Sequence, residues 1–432
     1  MKLQLNNKYK MKKSAQLFLL IIISTQVVIS QAYINKQSRH RFAQLSMGVD
    51  VETNYGGATK YLNENGGIQN LDLPSTYIPR FLIGGTHFWG HADFYIAIPL
   101  LRSQIEENNQ IIQYLRGVET VFKYYPWRIE NDRVTPYIGF SVAPFYFEQT
   151  NQNLIYGNGP ELNHTNFPLL GGITYNSGNH LFEFGVAWNY TNKQDYYITR
   201  TEKESIITPP IYMNLSYRYL LETTLSAEQE WESGRTQEIT EKLANQGKLD
   251  GFYLGAGLSS AFWLGKNSYN ETEKPYIEGY TTSIMPDFSL GYYFHNSDIN
   301  IALGYRDYGT STNTYGAAQS LNRQSVVLEL TKYLLDYHGF APFLGPSISY
   351  ENLSFDESYE GQKLNDISDD RIGYGLTFGW DIRPNRIQSW LLRTNLRWFP
   401  SMDVDINNKS SVSFNNLEFN FIQLIIYPDR MF

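Results

Sequence analysis

AQLSMGVDVET, Ala43–Thr53, alternates without a fault. Apolar Ala43, Leu45, Met47, Val49 and Val51 interleave with Gln44, Ser46, Gly48, Asp50 and Glu52. Successive side chains of a strand point to opposite faces, so this is a strand with one greasy face and one wet face. The pattern recurs. In HLFEFGVAWNY, Phe182, Phe184, Val186, Trp188 and Tyr190 share a face opposite Glu183, Gly185, Ala187 and Asn189. GFYLGAGLSSAFWLG sets Phe252, Leu254, Ala256, Leu258, Phe262 and Leu264 to one side, and RIGYGLTFGWD does the same with Ile372, Tyr374, Leu376, Phe378 and Trp380. The question is whether the greasy face meets a protein core or lipid.

The N-terminus bears on it. Lys2, Lys8, Lys10, Lys12 and Lys13 precede an apolar run from Leu17 to Ile29, and Ser30-Gln31-Ala32 offers a small-x-small cleavage site. That pattern predicts a secretory signal peptide over residues 1–32. An N-terminal anchor is the rival, but the run falls short of the ~20 residues a spanning helix needs. Removing the signal takes five lysines and no acids, leaving 30 basic against 43 acidic residues and a charge of −13. So acidic a chain lacks the basic clusters of a nucleic-acid binder. With no cysteine among 432 residues, disulfides, thiolate metal sites and thiol nucleophiles are excluded. No later apolar run is long enough for a membrane helix, yet aromatic residues make up 16%, 34 of them Tyr. Many apolar faces end in Trp or Tyr, as aromatic girdles do at membrane interfaces.

The connections are sorted. Short turns (HFWGH, NSGN, HNSD, RPNR) alternate with long polar loops such as NYGGATKYLNENGGIQN, QTNQNLIYGNGPELNHTN and NNKSS. Transmembrane barrels have this layout, with the short turns periplasmic. An internal duplication is also legible. STYIPRFLIGGTHFWGHADFYIAIPL, from Ser75, reads against TSIMPDFSLGYYFHNSDINIALGYR, from Thr282, and VETVFKYYPW reads against LELTKYLLDY. Eight strands are predicted in residues 33–220 and eight in 251–432. Between them, 221–250 is acidic, unalternating and helix-favouring; it is expected as a short helical periplasmic connector, with a barrel plug as the alternative.

The chain resembles Gram-negative outer-membrane β-barrels of the porin-like superfamily, each half similar to a small eight-stranded barrel. The element that most carries the likeness is strand–YYPW–turn–VTPYIG–strand; NLEFNFIQLIIYPDRMF, ending in Phe432, matches the family's aromatic last strand except that Pro428-Asp429-Arg430 breaks the alternation. The resemblance implies insertion in the bacterial outer membrane, with lipid and the barrel assembly machinery (through the last strand and Phe432) as partners and both termini periplasmic. In hydrocarbon only a closed barrel lets a sheet pair every backbone group, so the greasy faces are expected to meet lipid.

The expected fold is therefore an all-β, up-and-down transmembrane barrel of 16 strands; two tandem eight-stranded barrels are the alternative. Charges on the inward faces are the candidate site: Asp50, Glu52, Arg80, Glu119, Glu183 and Arg218 in the first half, and Asp287, Arg306, Glu329, Asp381, Arg393 and Arg397 in the second. They line a solute path if the lumen is wide, or pack a narrow barrel as ion pairs. The first reading makes the protein a passive porin-like channel without cofactor. The second makes it a filled structural or surface-binding barrel whose extracellular loops, with Tyr55, Tyr61 and Tyr156, meet a partner. A lipid-modifying hydrolase is the third reading. Against it, His87, His91, His180, His295 and His338 fall on predicted periplasmic turns, and His164, on an outer loop, has no assignable Ser or acid partner. His87 and His91 have a metal-like spacing without a third ligand, and no metal site is expected.

Overall fold

Alternation becomes two closed barrels. The computed structural model describes residues 41–430, apart from 64, 102, 108–109, 152–157, 224–233, 264–266, 278, 281–282, 385–388, 401 and 408–409. The signal-peptide region, Tyr156, Leu264 and Phe432 lie outside the described residues. The first barrel is built from β1 (Ala43–Asn54), β2 (Tyr77–His87), β3 (Ala92–Pro99), β4 (Glu119–Tyr124), β5 (Arg133–Asn151), β6 (Leu169–Ser177), β7 (His180–Trp188) and β8 (Ile211–Glu222). The second comprises β9 (Gly251–Trp263), β10 (Ser283–Phe294), β11 (Ile299–Thr314), β12 (Ala317–Tyr333), β13 (Phe340–Tyr359), β14 (Gln362–Ile382), β15 (Trp390–Phe399) and β16 (Asn416–Ile426). Neighbours pair antiparallel throughout.

The single 16-stranded barrel is not what forms. A merged barrel would pair β8 with β9. Instead β8 returns to β1, with Asp50 opposite Ser216 and Gly48 opposite Arg218. Likewise β16 returns to β9, with Gly257 opposite Gln423. Both closures remove every free edge, so edge satisfaction does not separate them from a merged barrel. The interior does: each buried ion pair among the described residues joins two members of the same half. An eight-stranded barrel is just wide enough for side chains to fill, which lets those charges meet.

The facing expected from sequence holds along the walls. Val49 and Val51 are exposed while Asp50 and Glu52 are buried; Phe182, Phe184 and Trp188 are exposed while Glu183 and Ala187 are buried. Tyr374, Leu376 and Phe378 likewise stand outward. The long connections fold rather than dangle. Over the first barrel, Gly57–Leu62, Ile68–Leu73, Lys193–Tyr197 and Lys203–Ile207 form a four-stranded sheet above a core that includes Tyr61, Leu71, Phe145, Phe147 and Tyr196. Over the second, helix α2 (Ser268–Glu273) and the hairpin Asp403–Asn407/Ser410–Ser413 close on Leu321, Phe355, Phe399 and Phe414. Another helix, α1 (Gly234–Asn245), lies in the segment joining the halves.

Two connections of the second barrel are almost wholly strand. β11 and β12 run on through Thr314 and Ala317, because Thr310, Thr312 and Thr314 keep the inward alternation. They meet in a two-residue turn, Tyr315-Gly316, whose φ values of 50° and 80° match the type I′ geometry favoured between twisted strands. Glu360-Gly361 repeats the device between β13 and β14.

The barrels stand side by side and the same way up. At the short-turn end, Phe88 of the first meets Phe340 of the second at 4.9 Å, and Trp89 meets His338 at 5.4 Å. At mid-wall, Ile96 and Phe122 pack with Phe419 and Phe421. At the long-loop end, Glu161 accepts from the Thr312 hydroxyl at 2.5 Å, and Arg200 donates to the Tyr315 carbonyl at 2.6 Å.

Candidate functional site

The twelve charges read from the sequence fall into compact buried networks. In the first barrel Arg80 holds Asp50 with two hydrogen bonds (2.8 and 2.6 Å) and reaches Glu52 and Glu119 at 2.7 Å each. β2 carries Arg80 directly opposite Asp50 on β1, so strand register alone brings that pair together. Nearer the short turns, Arg218 clamps Asp93 at 2.9 and 2.6 Å and reaches Glu183 at 3.4 Å. Glu183 also takes Lys123 as an ion-pair partner and accepts from the Tyr137 hydroxyl at 2.9 Å. Tyrosine rings fill the remaining space: the Lys123 ammonium lies 4.5 Å from the Tyr95 ring centre and 4.4 Å from that of Tyr137.

The second barrel uses the same materials in a different arrangement. Asp287 sits between Arg306 (2.9 Å) and Arg397 (2.8 Å) and accepts from Ser259 and Asn420 at 2.7 Å. Arg397 bridges on to Glu329. Toward the short turns, Arg393 holds Asp381 at 2.8 and 2.9 Å and donates to the hydroxyls of Tyr253 and Tyr333. The Pro428-Asp429-Arg430 interruption is a single 3-10 turn. It brings the Arg430 guanidinium 3.9 Å from the Tyr427 ring centre and lets it donate to the Leu249 carbonyl.

The duplication inverts the central charge. Aligning Ser75 with Thr282 puts Arg80 at the position of Asp287. One basic centre is ringed by acids; its counterpart is an acid ringed by bases. The neighbours have changed to match. Where β1 carries Asp50 and Glu52, β9 carries Gly257 and Ser259, with Gly257 directly opposite Asp287. Glu119 and Glu329, matched in the repeat, serve different arginines: Arg80 from β2 and Arg397 from β15.

Several members of these networks escaped the sequence reading. Asp93 and Lys123 share inward parity with Tyr95 and Glu119, so alternation on β3 and β4 carries the signal for both. Arg323, which holds Glu351 at 2.6 and 2.7 Å, lies on the outer part of β12. Glu418 approaches Arg323 and Arg306 at 3.5 and 3.6 Å. Of the loop aromatics, Tyr55 is exposed, whereas Tyr61 is buried in the cap and donates to Gln69.

The histidines do local work. His91 is 2.9 Å from the Tyr125 carbonyl, His180 the same distance from the Tyr217 hydroxyl, and His87 packs against Phe88 and Phe94. His164 stands on Asn158–Asn166, a strand that pairs with the outer part of β5. Above the second barrel, burial alone would raise the Glu357 carboxyl. Hydrogen bonds from Lys274, Gln319, Tyr269 and Asn365 outweigh that and hold it below its ordinary value.

Closed walls and apolar outer belts define the architecture. It is a pair of closed eight-stranded β-barrels in one chain. No protein-family model matches the chain, and no curated protein does. Among solved structures, Neisserial surface protein A is similar over 41% of this chain and 97% of its own, at 18% identity and a TM-score of 0.30. Ail of Yersinia pestis covers 41% and 96% at 10% identity and 0.26, in a complex with the heparin analogue sucrose octasulfate. An outer membrane channel from Pseudomonas putida F1 covers 89% and 95% at 9% identity and 0.20.

Proposed function

We propose that this protein is a filled twin barrel of the bacterial outer membrane, acting through its folded long-loop end and its flanks rather than through a lumen. The observation that carries this reading is the pairing of all twelve inward charges within the two interiors, each 5% exposed or less. A porin-like route needs a water-filled path past such charges. Here they form ion pairs with one another, and tyrosine rings occupy the space between them. Capping cores above both barrels add a second obstruction. Loops that carry their own sheet and helix present a defined surface, as a binding protein requires.

The outer-membrane setting is supported by the exposed apolar belt, which water would not tolerate at this extent. The test is conductance of the purified protein in planar bilayers, with insertion verified by protease protection. Silence at voltages where porins conduct is expected. Steady ohmic steps would sink the filled-barrel reading and restore the channel.

A further inference from the structure

A large cavity lies between the barrels. It has a volume of about 2030 Å³, beyond the ~300–1,000 Å³ of an ordinary small-molecule pocket. A smaller space of about 190 Å³ continues it toward the short turns, with Phe122, Trp380 and Phe419 lining both. One wall belongs to each barrel: Val142 and Phe140 of β5 on one side, Ile284 of β10 and Leu417 of β16 on the other.

The lining changes character with height. At the level of the apolar belt it is Phe, Val, Ile and Leu. Past the outer ends of the belt it becomes side-chain amides, Asn163, Asn270 and Gln319, with the rings of Trp263 and Tyr280 beside them. Two polar atoms there are shielded and unspent. Asn163 uses its amide NH₂ on Glu161 and the Gly279 carbonyl, which leaves Oδ1 without a partner. The Trp263 indole N–H, on the other barrel, has none either. Buried polar groups are normally paired, so an unpaired acceptor and donor on one cavity mark places for a ligand's hydroxyls.

Charge selects the head group. Five carboxylates line the cavity against two lysines and no arginine. A phosphate would meet net repulsion and find no bidentate guanidinium. An uncharged, hydroxyl-rich head meets amides, carboxylate acceptors and aromatic faces.

We infer that the inter-barrel cleft binds one acyl-chain glycolipid with a neutral sugar head, its chains between the walls and its sugar under Trp263 and Asn163. This requires membrane insertion but not a filled lumen, so it stands apart from the conductance result. The full-length protein in a polyoxyethylene detergent would be titrated with diglucosyl diacylglycerol and with chain-matched phosphatidylglycerol, read by native mass spectrometry. One glycolipid adduct per protein is expected, with phosphatidylglycerol at least about tenfold weaker. Trp263→Phe keeps the ring and removes the donor; it should weaken the glycolipid about five- to tenfold, the size of one hydrogen bond, and leave phosphatidylglycerol unchanged. Val142→Trp with Ile284→Trp, both on outer walls, should remove the adduct while heat-modifiable migration stays normal. Equal retention of the two lipids, several adducts at once, or adducts indifferent to both sets of changes would overturn the assignment.

Discussion

Replacing Arg80 with Met tests whether the first barrel is packed or wet. Arg80 is buried among three carboxylates and donates four hydrogen bonds to them, two to Asp50 and one each to Glu52 and Glu119. Methionine fills much of the same volume but leaves the acids facing one another in a closed space. Removing one partner of a buried ion network costs roughly 3–5 kcal/mol, most of it the penalty of charges left without compensation. The same change with Asp50→Asn, Glu52→Gln and Glu119→Gln removes the charge as well as the base, and should recover most of the loss. Urea titration of the refolded protein, followed by heat-modifiable migration, measures both. The exposed pair Arg133–Glu130 is the control, since its ends are well solvated and Arg133→Met should change little. A loss below about 1 kcal/mol for Arg80→Met, with no rescue by the neutral set, would refute the reasoning, because only water in the interior can screen three acids so well.

Other outcomes follow from the facing, the packing and the caps. With the apolar belt in the bilayer as proposed, Val186→Arg, on the outward face of β7, should cost roughly 2–4 kcal/mol at the midplane. Ala187→Arg, which a wide lumen would tolerate, should be at least as damaging by the same urea assay, because its neighbour faces a full interior. Gly291→Leu should destabilise the second barrel by about 1–3 kcal/mol, since a Cβ there would lie 2.2 Å from the Tyr253 ring; a shift in its unfolding midpoint with the first barrel intact is the readout. Glu357 is held below its usual 4.5, so its contribution to the cap is complete above that value and lost as pH falls through the lower folded one. Hydrogen exchange around α2 should therefore accelerate on acidification, and Glu357→Gln should flatten that dependence.

Strands and facing were legible because period-two alternation is a local property, written within ten residues. Eight barrel strands fall in each half, as the alternation predicts. The lengths of β11 to β14 were not, since the threonine- and serine-rich ends look like loop until their parity is followed to Tyr315-Gly316 and Glu360-Gly361. The candidate charges were legible by the same parity. What they do was not, because alternation says that Arg80 faces inward without saying how far away the opposite wall stands. That distance is set by which edges join, a contact between residues some 170 apart such as Gly48 and Arg218.

The inverted centre shows why each half closes on itself. If the halves had merged, Arg80 and Asp287 would line one wide lumen, and nothing would require their neighbours to change together. In separate narrow barrels each centre must be neutralised by its own walls. A basic centre then demands acids on the adjacent strands, which Asp50, Glu52 and Glu119 supply. An acidic centre cannot keep them. Opposite Asp287 the aspartate position is Gly257, the glutamate position is the donor Ser259, and arginines arrive from β11 and β15. Pairing within each half, with opposite sign at the repeat-related position, is what independent packing of two small interiors produces, and a shared aqueous lumen supplies no reason for it.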